Sequence, residues 1–404
     1  MLTISSPCPI CASSNISPII DLPPVPVDTC RMWSSRAGAY SALKAPLLLS
    51  HCSRHCSHVF NRTYDDELAE RAQYEDEYEN SQMFSPRFRQ YSEALCDALI
   101  ATYDLRQKNI IEIGGGRGEF LRILCDRGNN FGISFGPSYK PEPGDDIPSN
   151  VRFIVDYYTE KYAEEPTDLI VCRHVLEHFS RPRELITTVR KAVDNRKDLF
   201  VYFEVPSGNF IFREQACWEF IYQHCSYFTP KSLVTLFAEC GFEVRDVRER
   251  FGGQFLTIEA RASPGDFSAN RKGGPEREAS AVTDTAAALC GAIGPAFRAG
   301  VAQWSNYFEQ QRVNRRRTIL WGAGAKAVTF LNVVDPAGSS ISHVVDVNPR
   351  KVGRFIAGSG QEIVEPSAVS ELRPDIVVLT NSIYRQEIGA SLHAFGLNPE
   401  LLVA

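Results

Sequence analysis

Short apolar runs of strand length recur through the middle of the chain: NIIEIGGG, NNFGISF, VRFIV, DLIVCRHV, LFVYFEVP, GFEVRDV and QFLTIEA. Helical spacing separates them, so residues 73–262 predict a parallel sheet with helices on both faces that ends in an antiparallel pair. Residues 263–280 are rich in Gly, Ser, Pro and mixed charge and read as a linker. Beyond it, 281–316 reads as helix, and RTILWGAGAKAVTFLN, SHVVDVN and PDIVVLTN repeat the strand, turn, helix rhythm. Residues 281–404 therefore form a second, smaller α/β unit. Residues 1–72 differ: paired cysteines, the Pro-rich strip DLPPVPVD and the run APLLLS supply too little apolar material for a conventional core. Such a block needs a staple or a neighbour to lean on.

The composition, 44% hydrophobic and 23% charged over 404 residues, is that of a soluble globular chain of two or three domains. No run approaches the ~18 apolar residues of a membrane span, and the N-terminus lacks a basic start followed by an apolar stretch, so a cytoplasmic protein is expected. A formal charge of -6 gives no basic field, and neither nucleic acid nor a membrane is expected as partner. The close arginines Arg312, Arg315, Arg316 and Arg317 read as a solvated helix end. Of twelve cysteines, only Cys8, Cys11, Cys52 and Cys56 fall in close pairs. Four thiolates at this spacing suit tetrahedral zinc. His51, His55 or Cys30 could replace one of them, and a metal-free module resting on the core is the alternative. The other cysteines read as small buried hydrophobes.

In NIIEIGGGRGEFLRIL a buried strand leads into Gly114, Gly116 and Gly118, with Glu112 two residues before the first glycine. Glycines allow a tight turn and close approach of a ligand to the backbone. This arrangement resembles motif I of the class I S-adenosylmethionine-dependent methyltransferases, where the carboxylate helps hold the methionine end of a cationic cofactor. The resemblance implies an acid at the end of the next strand, for the ribose hydroxyls. That position is Gly136, and Ser134 is left as a weaker hydroxyl contact. Asp156 and Tyr157, after VRFIV, suit the adenine amino group and a stacking face. Arg173 and His174, ending DLIVCRHV, complete the expected cofactor-binding set.

Further segments extend the resemblance: YENSQMFSPRF, DLIVCRHVLEHFSRPRELI, YFEVPSGNF, WEFIYQHCSYFTPKSL, FGGQFLTIEA, DVNPRKVGRF and PDIVVLTNSIY. Together with the cysteine pairs and the glycine loop they are similar to the sugar C-methyltransferase family, in its domain order over nearly the whole chain. The resemblance implies an α/β protein: a small zinc-binding module (1–72), a class I methyltransferase Rossmann-like core (73–262), and a C-terminal Rossmann-like substrate domain (281–404). It implies methyl transfer from S-adenosylmethionine to the carbon next to a ketone, on a nucleotide-linked deoxysugar or a related small metabolite, through an enolate. His224 takes the role of general base, since an imidazole with pKa near ~6.5 accepts protons at neutral pH. Tyr222 and Tyr78 would donate to the enolate oxygen, and His178 would orient the substrate. Gln223 stands where related sequences often have Glu, and it cannot ionise.

In the last domain Gly322-x-Gly324-x-x-Ala327 follows a strand, and Asp346 ends the next, 24 residues after the first glycine. Read by itself this is a dinucleotide fingerprint that suits NAD. A pyrophosphate at the helix N-terminus would serve a nucleotide-sugar equally, with Lys326 adding positive charge. The resemblance favours the latter, or a retained fold without ligand. Gly136 and Gln223 keep two other readings open: a homologue that performs only proton transfer, as an epimerase, isomerase or lyase, and a non-catalytic nucleotide-binding protein.

Overall fold

A computed structural model describes residues 6–54, 56–72, 77–141, 147–193, 196, 199–263 and 286–404. All but Ser263 of the expected linker lies outside them. Near the N-terminus, β1 (Ile16–Pro26), β2 (Lys44–Cys52) and β3 (Val59–Asn61) form an antiparallel sheet. β1 is its edge strand and contains four prolines; a proline cannot donate to a ladder, and the β1–β2 register slips between Pro18 and Ile20 and between Leu22 and Val25.

The core supplies β4 (Asn109–Ile113), β5 (Phe131–Phe135), β6 (Val151–Ile154), β7 (Leu169–Arg173), β8 (Phe200–Pro206), the two-residue β9 (Ser226–Tyr227), β10 (Phe242–Arg250) and β11 (Phe255–Ala262). Seven of these make one sheet in the order β10-β11-β8-β7-β4-β5-β6, parallel except where β11 runs against β8 and β10. Alternate residues feed opposite faces. Ile110, Leu169, Val171 and Tyr202 pack with the helices Pro86–Tyr103 and Glu119–Gly128, while Ile111, Ile170, Cys172 and Phe203 pack with Pro182–Val193 and Pro230–Glu239. Burial on both faces is why these strands read as continuous apolar runs. The helices start where side chains cap them: Ser85 accepts from Phe88 N, and Thr229 and Ser232 form a reciprocal box, each followed by proline in the first turn.

The C-terminal sheet, β12 (Thr318–Trp321), β13 (Ile341–Val345), β14 (Glu362–Val364), β15 (Ile376–Leu379) and β16 (Glu400–Val403), is all parallel in the order β14-β13-β12-β15-β16. The long helix Ala286–Val313 precedes it. At that helix's end Arg312 pairs with Glu309, Arg316 with Glu400 at 2.8 Å and Arg317 with Asp375 at 3.5 Å, so local acids offset these charges.

The three blocks do not fold apart. β9 leaves the core to pair with β3 as the fourth strand of the N-terminal sheet. One apolar cluster joins Leu22, Leu47 and Leu49 of that sheet to Phe212, Trp218 and Tyr222 of the core and to Phe297, Phe308 and Phe330 beyond it. The N-terminal block thus leans on neighbours. Among the described residues no helix is long and apolar enough to cross a membrane.

Candidate active site

At the far N-terminus Cys8, Cys11, Cys52 and Cys56 converge. Their sulfurs lie 3.6 Å (Cys8–Cys56), 3.5 Å (Cys11–Cys52) and 3.4 Å (Cys11–Cys56) apart, close to the edge of about 3.8 Å expected for a tetrahedron with 2.3 Å Zn–S bonds. None is in a disulfide. Four mostly buried thiols facing one another fit a structural zinc ion, and Cys30 stands apart from them, against Thr29. His55 lies outside the described residues.

The first glycine loop follows β4, whose neighbours are β5 and β7, at the point where the strand order reverses; in open α/β sheets that is where ligands bind. Gly114, Gly116 and Gly118 all have positive φ, and the space beside Gly116 is open. Glu112 and Ser134 sit beneath the loop as register partners on β4 and β5, and Ser134 Oγ donates to Glu112 at 3.2 Å. A Cβ on Gly115 would collide with both. Burial pushes Glu112 up to about 7, against the pull of Arg173 and the Ser134 hydrogen bond. Glu112 therefore braces the loop from below, and the Ser134 hydroxyl expected at the ribose is already committed to it. A Cβ at Gly136 would meet only the Gly114 Cα, at 3.9 Å, so the place of the missing acid is open space.

Asp156 also differs from expectation. Its carboxylate accepts from Tyr157 N at 2.8 Å and the Tyr162 hydroxyl at 2.7 Å and pairs with Lys161, which holds its pKa below the usual range. Tyr157 remains exposed and open to a stacking partner.

Arg173 ends β7 and His174 follows it. Arg173 pairs with Glu204 of β8, its register partner, at 2.8 Å, and His174 Nε2 lies 3.1 Å from the same carboxylate. Burial would raise Glu204, but Arg173, His174 and Tyr91 outweigh it and bring the group down to about 2. Both side chains expected at the cofactor are thus engaged with Glu204 in this structure. The sequence analysis passed over Glu204; its one signal there is an acid inside the apolar run LFVYFEVP.

Beyond His174, Val175 abuts the glycine loop: a Cβ on Gly114 would collide with its side chain. One turn on, Glu177, His178 and His224 bring their polar atoms within 4.8 Å of one another. His178 Nδ1 lies 3.0 Å from the Gln223 carbonyl, which can only accept, so Nδ1 carries the proton and Nε2 the lone pair. The His178 and His224 rings meet edge-on at 5.0 Å. Burial brings His178 down to about 4, and burial with the neighbouring His178, His174 and Lys326 charges holds His224 well below its usual value. Both are neutral at physiological pH. Half-buried His224 has no hydrogen-bond partner for its ring among the described residues. Glu177, which the sequence reading passed over within LEH, is 1% exposed, and burial, with Glu204 adding to it, pushes it up to about 8.

Tyr222 does not face this cluster. Its hydroxyl donates to the Thr63 carbonyl at 3.2 Å and accepts from Asp65 N at 3.1 Å, and its ring stacks on Tyr64 at 5.5 Å. In this structure the Tyr222 hydroxyl, expected at an enolate, ties the core to the loop after β3. Gln223 Oε1 accepts from Thr29 N and Oγ1, both at 3.3 Å. Tyr78 has an exposed ring, and its hydroxyl lies by Asn80 and Cys30, near Asp28. Tyr78 and Gln223 thus flank the same 28–31 segment.

In the C-terminal domain Gly322 and Gly324 have open space beside them at the N-terminus of the helix Ala325–Val334. The two charged residues are committed elsewhere. Asp346 accepts from Ala323 N at 2.7 Å and Asn348 N at 2.8 Å, and Lys351 lies 3.7 Å away. Lys326 pairs with Glu219 and donates to Gln254 at 3.2 Å, holding this loop against the core. Both side chains thus also tie the loop to its surroundings.

Residues 83–247 match a family described as a methyltransferase domain, and residues 296–398 match one described as a C-methyltransferase C-terminal domain. No curated protein matches the sequence. Among solved structures the chain is similar to an O-methyltransferase family protein from Burkholderia thailandensis, at 17% identity over 50% of this chain and 61% of that one, with a TM-score of 0.36. It thus spans less than two thirds of that protein's length. It is also similar to the 1,6-didemethyltoxoflavin-N1-methyltransferase of the same organism, at 15% identity over 43% of this chain and 78% of that one, with a TM-score of 0.34.

Proposed function

On the premise that its two matched domains make this chain an S-adenosylmethionine-dependent C-methyltransferase, we propose that it methylates the carbon next to a ketone of a nucleotide-linked deoxysugar or a related small metabolite. The observation that carries this reading is His224: a neutral, half-buried imidazole with no hydrogen-bond partner among the described residues, in a cluster that Val175 joins to the glycine loop. Carbon becomes nucleophilic only once its α-proton leaves, and the His224 lone pair would accept that proton. His178, its tautomer fixed by the Gln223 carbonyl, would present Nε2 to a substrate hydroxyl. Tyr78 is left to donate to the enolate oxygen without Tyr222. Gln223 would act by position, holding the 28–31 segment against the base.

When bound, the cofactor supplies an electrophilic methyl group on a sulfonium centre. The backbone of Gly114, Gly116 and Gly118, braced by Glu112 and Ser134, would hold it, with Tyr157 as a stacking face. The open backbone at Gly322 and Gly324 would take a pyrophosphate at the helix N-terminus. Zinc on Cys8, Cys11, Cys52 and Cys56 would be structural, since four thiolates leave no open position.

The test is incubation of purified protein with S-adenosylmethionine and keto-sugar nucleotides in deuterated buffer, read by mass spectrometry. A cofactor-dependent gain of one methyl group is expected. Deuterium uptake at the α-carbon with no cofactor and no methylation would replace this reading by proton transfer alone. Binding without turnover would leave a nucleotide-binding protein.

Gly136 supplies a gain-of-function check. A carboxylate there would enter open space beside the loop, and a hydrogen bond to a charged group is worth ~1.5–3 kcal/mol. Gly136→Asp is expected to tighten S-adenosylhomocysteine binding about tenfold by calorimetry; unchanged affinity would show that the ribose is not held at this edge.

A further inference from the structure

We propose that Glu177, His178 and His224 form a second, zinc-class metal site, and that a divalent ion bound there competes with methyl transfer. The functional half rests on the reading of His224 as base; the binding half does not. Two imidazoles and a carboxylate are a recurrent zinc set that leaves a fourth position open, unlike the closed thiolate cluster.

Three observations meet at this point. The three polar atoms already lie within 4.8 Å of one another, so modest side-chain rotation brings them onto one ion. Glu177 is 1% exposed, yet its Oε2 has no hydrogen-bond partner among the described residues, an arrangement that leaves a buried acceptor unsatisfied and that a cation would relieve. His178 donates Nδ1 to the Gln223 carbonyl, the support that metal-bound histidines usually have, and this leaves the lone pair on Nε2. Binding would convert Glu177 to its anion, releasing a proton to solvent. Because the ion would use the His224 lone pair, a chain loaded at this site could not accept the substrate proton.

The test uses the full chain with its cysteine cluster already loaded with zinc, titrated with Co²⁺ under visible absorption. The expected result is a second equivalent with weak nitrogen- and oxygen-ligand bands and no thiolate charge-transfer band. Its affinity should fall about tenfold or more in both Glu177→Gln and His178→Asn while the first equivalent of zinc is retained. Saturation at the first equivalent, or a second that persists in both variants, overturns the site. Activity assayed beside it should fall as Zn²⁺ is added and return with chelator. If the second ion binds and added zinc leaves methyl transfer unchanged, the competition is overturned. If the ion binds but no substrate is ever methylated, the methyl-transfer reading fails and the metal site stands.

Discussion

Substituting His224 by alanine is expected to lower kcat for methyl transfer by about 10²–10⁴-fold, the range a positioned general base contributes. The fold should survive, because among the described residues the imidazole makes no hydrogen bond and the aromatic rings it meets are those of His178 and Tyr227. S-adenosylhomocysteine affinity should change little, since the cofactor loop is braced from Glu112 and Ser134 instead. Loss of α-proton exchange should accompany loss of methylation, because both need the same proton to leave. Retained kcat with normal cofactor binding would remove His224 from the chemistry.

Substituting Cys52 by serine should have the larger effect on structure. Structural zinc contributes apparent binding energies of ~10–16 kcal/mol in small modules, and that energy is available only to the folded form. Cys52 ends β2, is fully buried, and belongs to a cluster that packs with Phe60 and Phe228 on the core. The variant is expected to hold less than one equivalent of zinc and to lose amide protection across β1, β2 and β3. Activity should fall too, since β3 carries β9 and β9 begins two residues after His224. A variant with full zinc and unchanged protection would show that these thiolates are not the ligands.

The core sheet was legible because its strands are buried on both faces and bounded by turns, so composition alone marks them. The N-terminal sheet was not. Its apolar residues make no separate core: Leu22 and Leu47 pair across the strands, but with Leu49 they belong to one cluster that also contains Trp218 and Phe330, from beyond the block. Side-chain direction was hidden in the same way. Tyr222 and His224 are two positions apart, yet the first bonds back to Thr63 and the second has no hydrogen-bond partner for its ring among the described residues. Asp346 and Lys326 fit a ligand-binding spacing, but the loop's own amide and Glu219 occupy them. Glu177 stood in plain view beside His178. It was missed because a carboxylate next to a histidine in a short helical turn carries no signal of burial.

The strand exchange between β3 and β9 also bears on how the protein is made. The cysteines and the first three strands of this sheet emerge from the ribosome well before the fourth, β9, which lies far along the chain from β3. Until then the outer edge of β3 is an unpaired template, open to pairing with a neighbouring nascent chain. If the cysteines take up zinc as proposed, early capture would hold this half-finished sheet in register while the rest of the polypeptide arrives, and zinc supply during synthesis is then expected to limit the yield of correctly assembled protein.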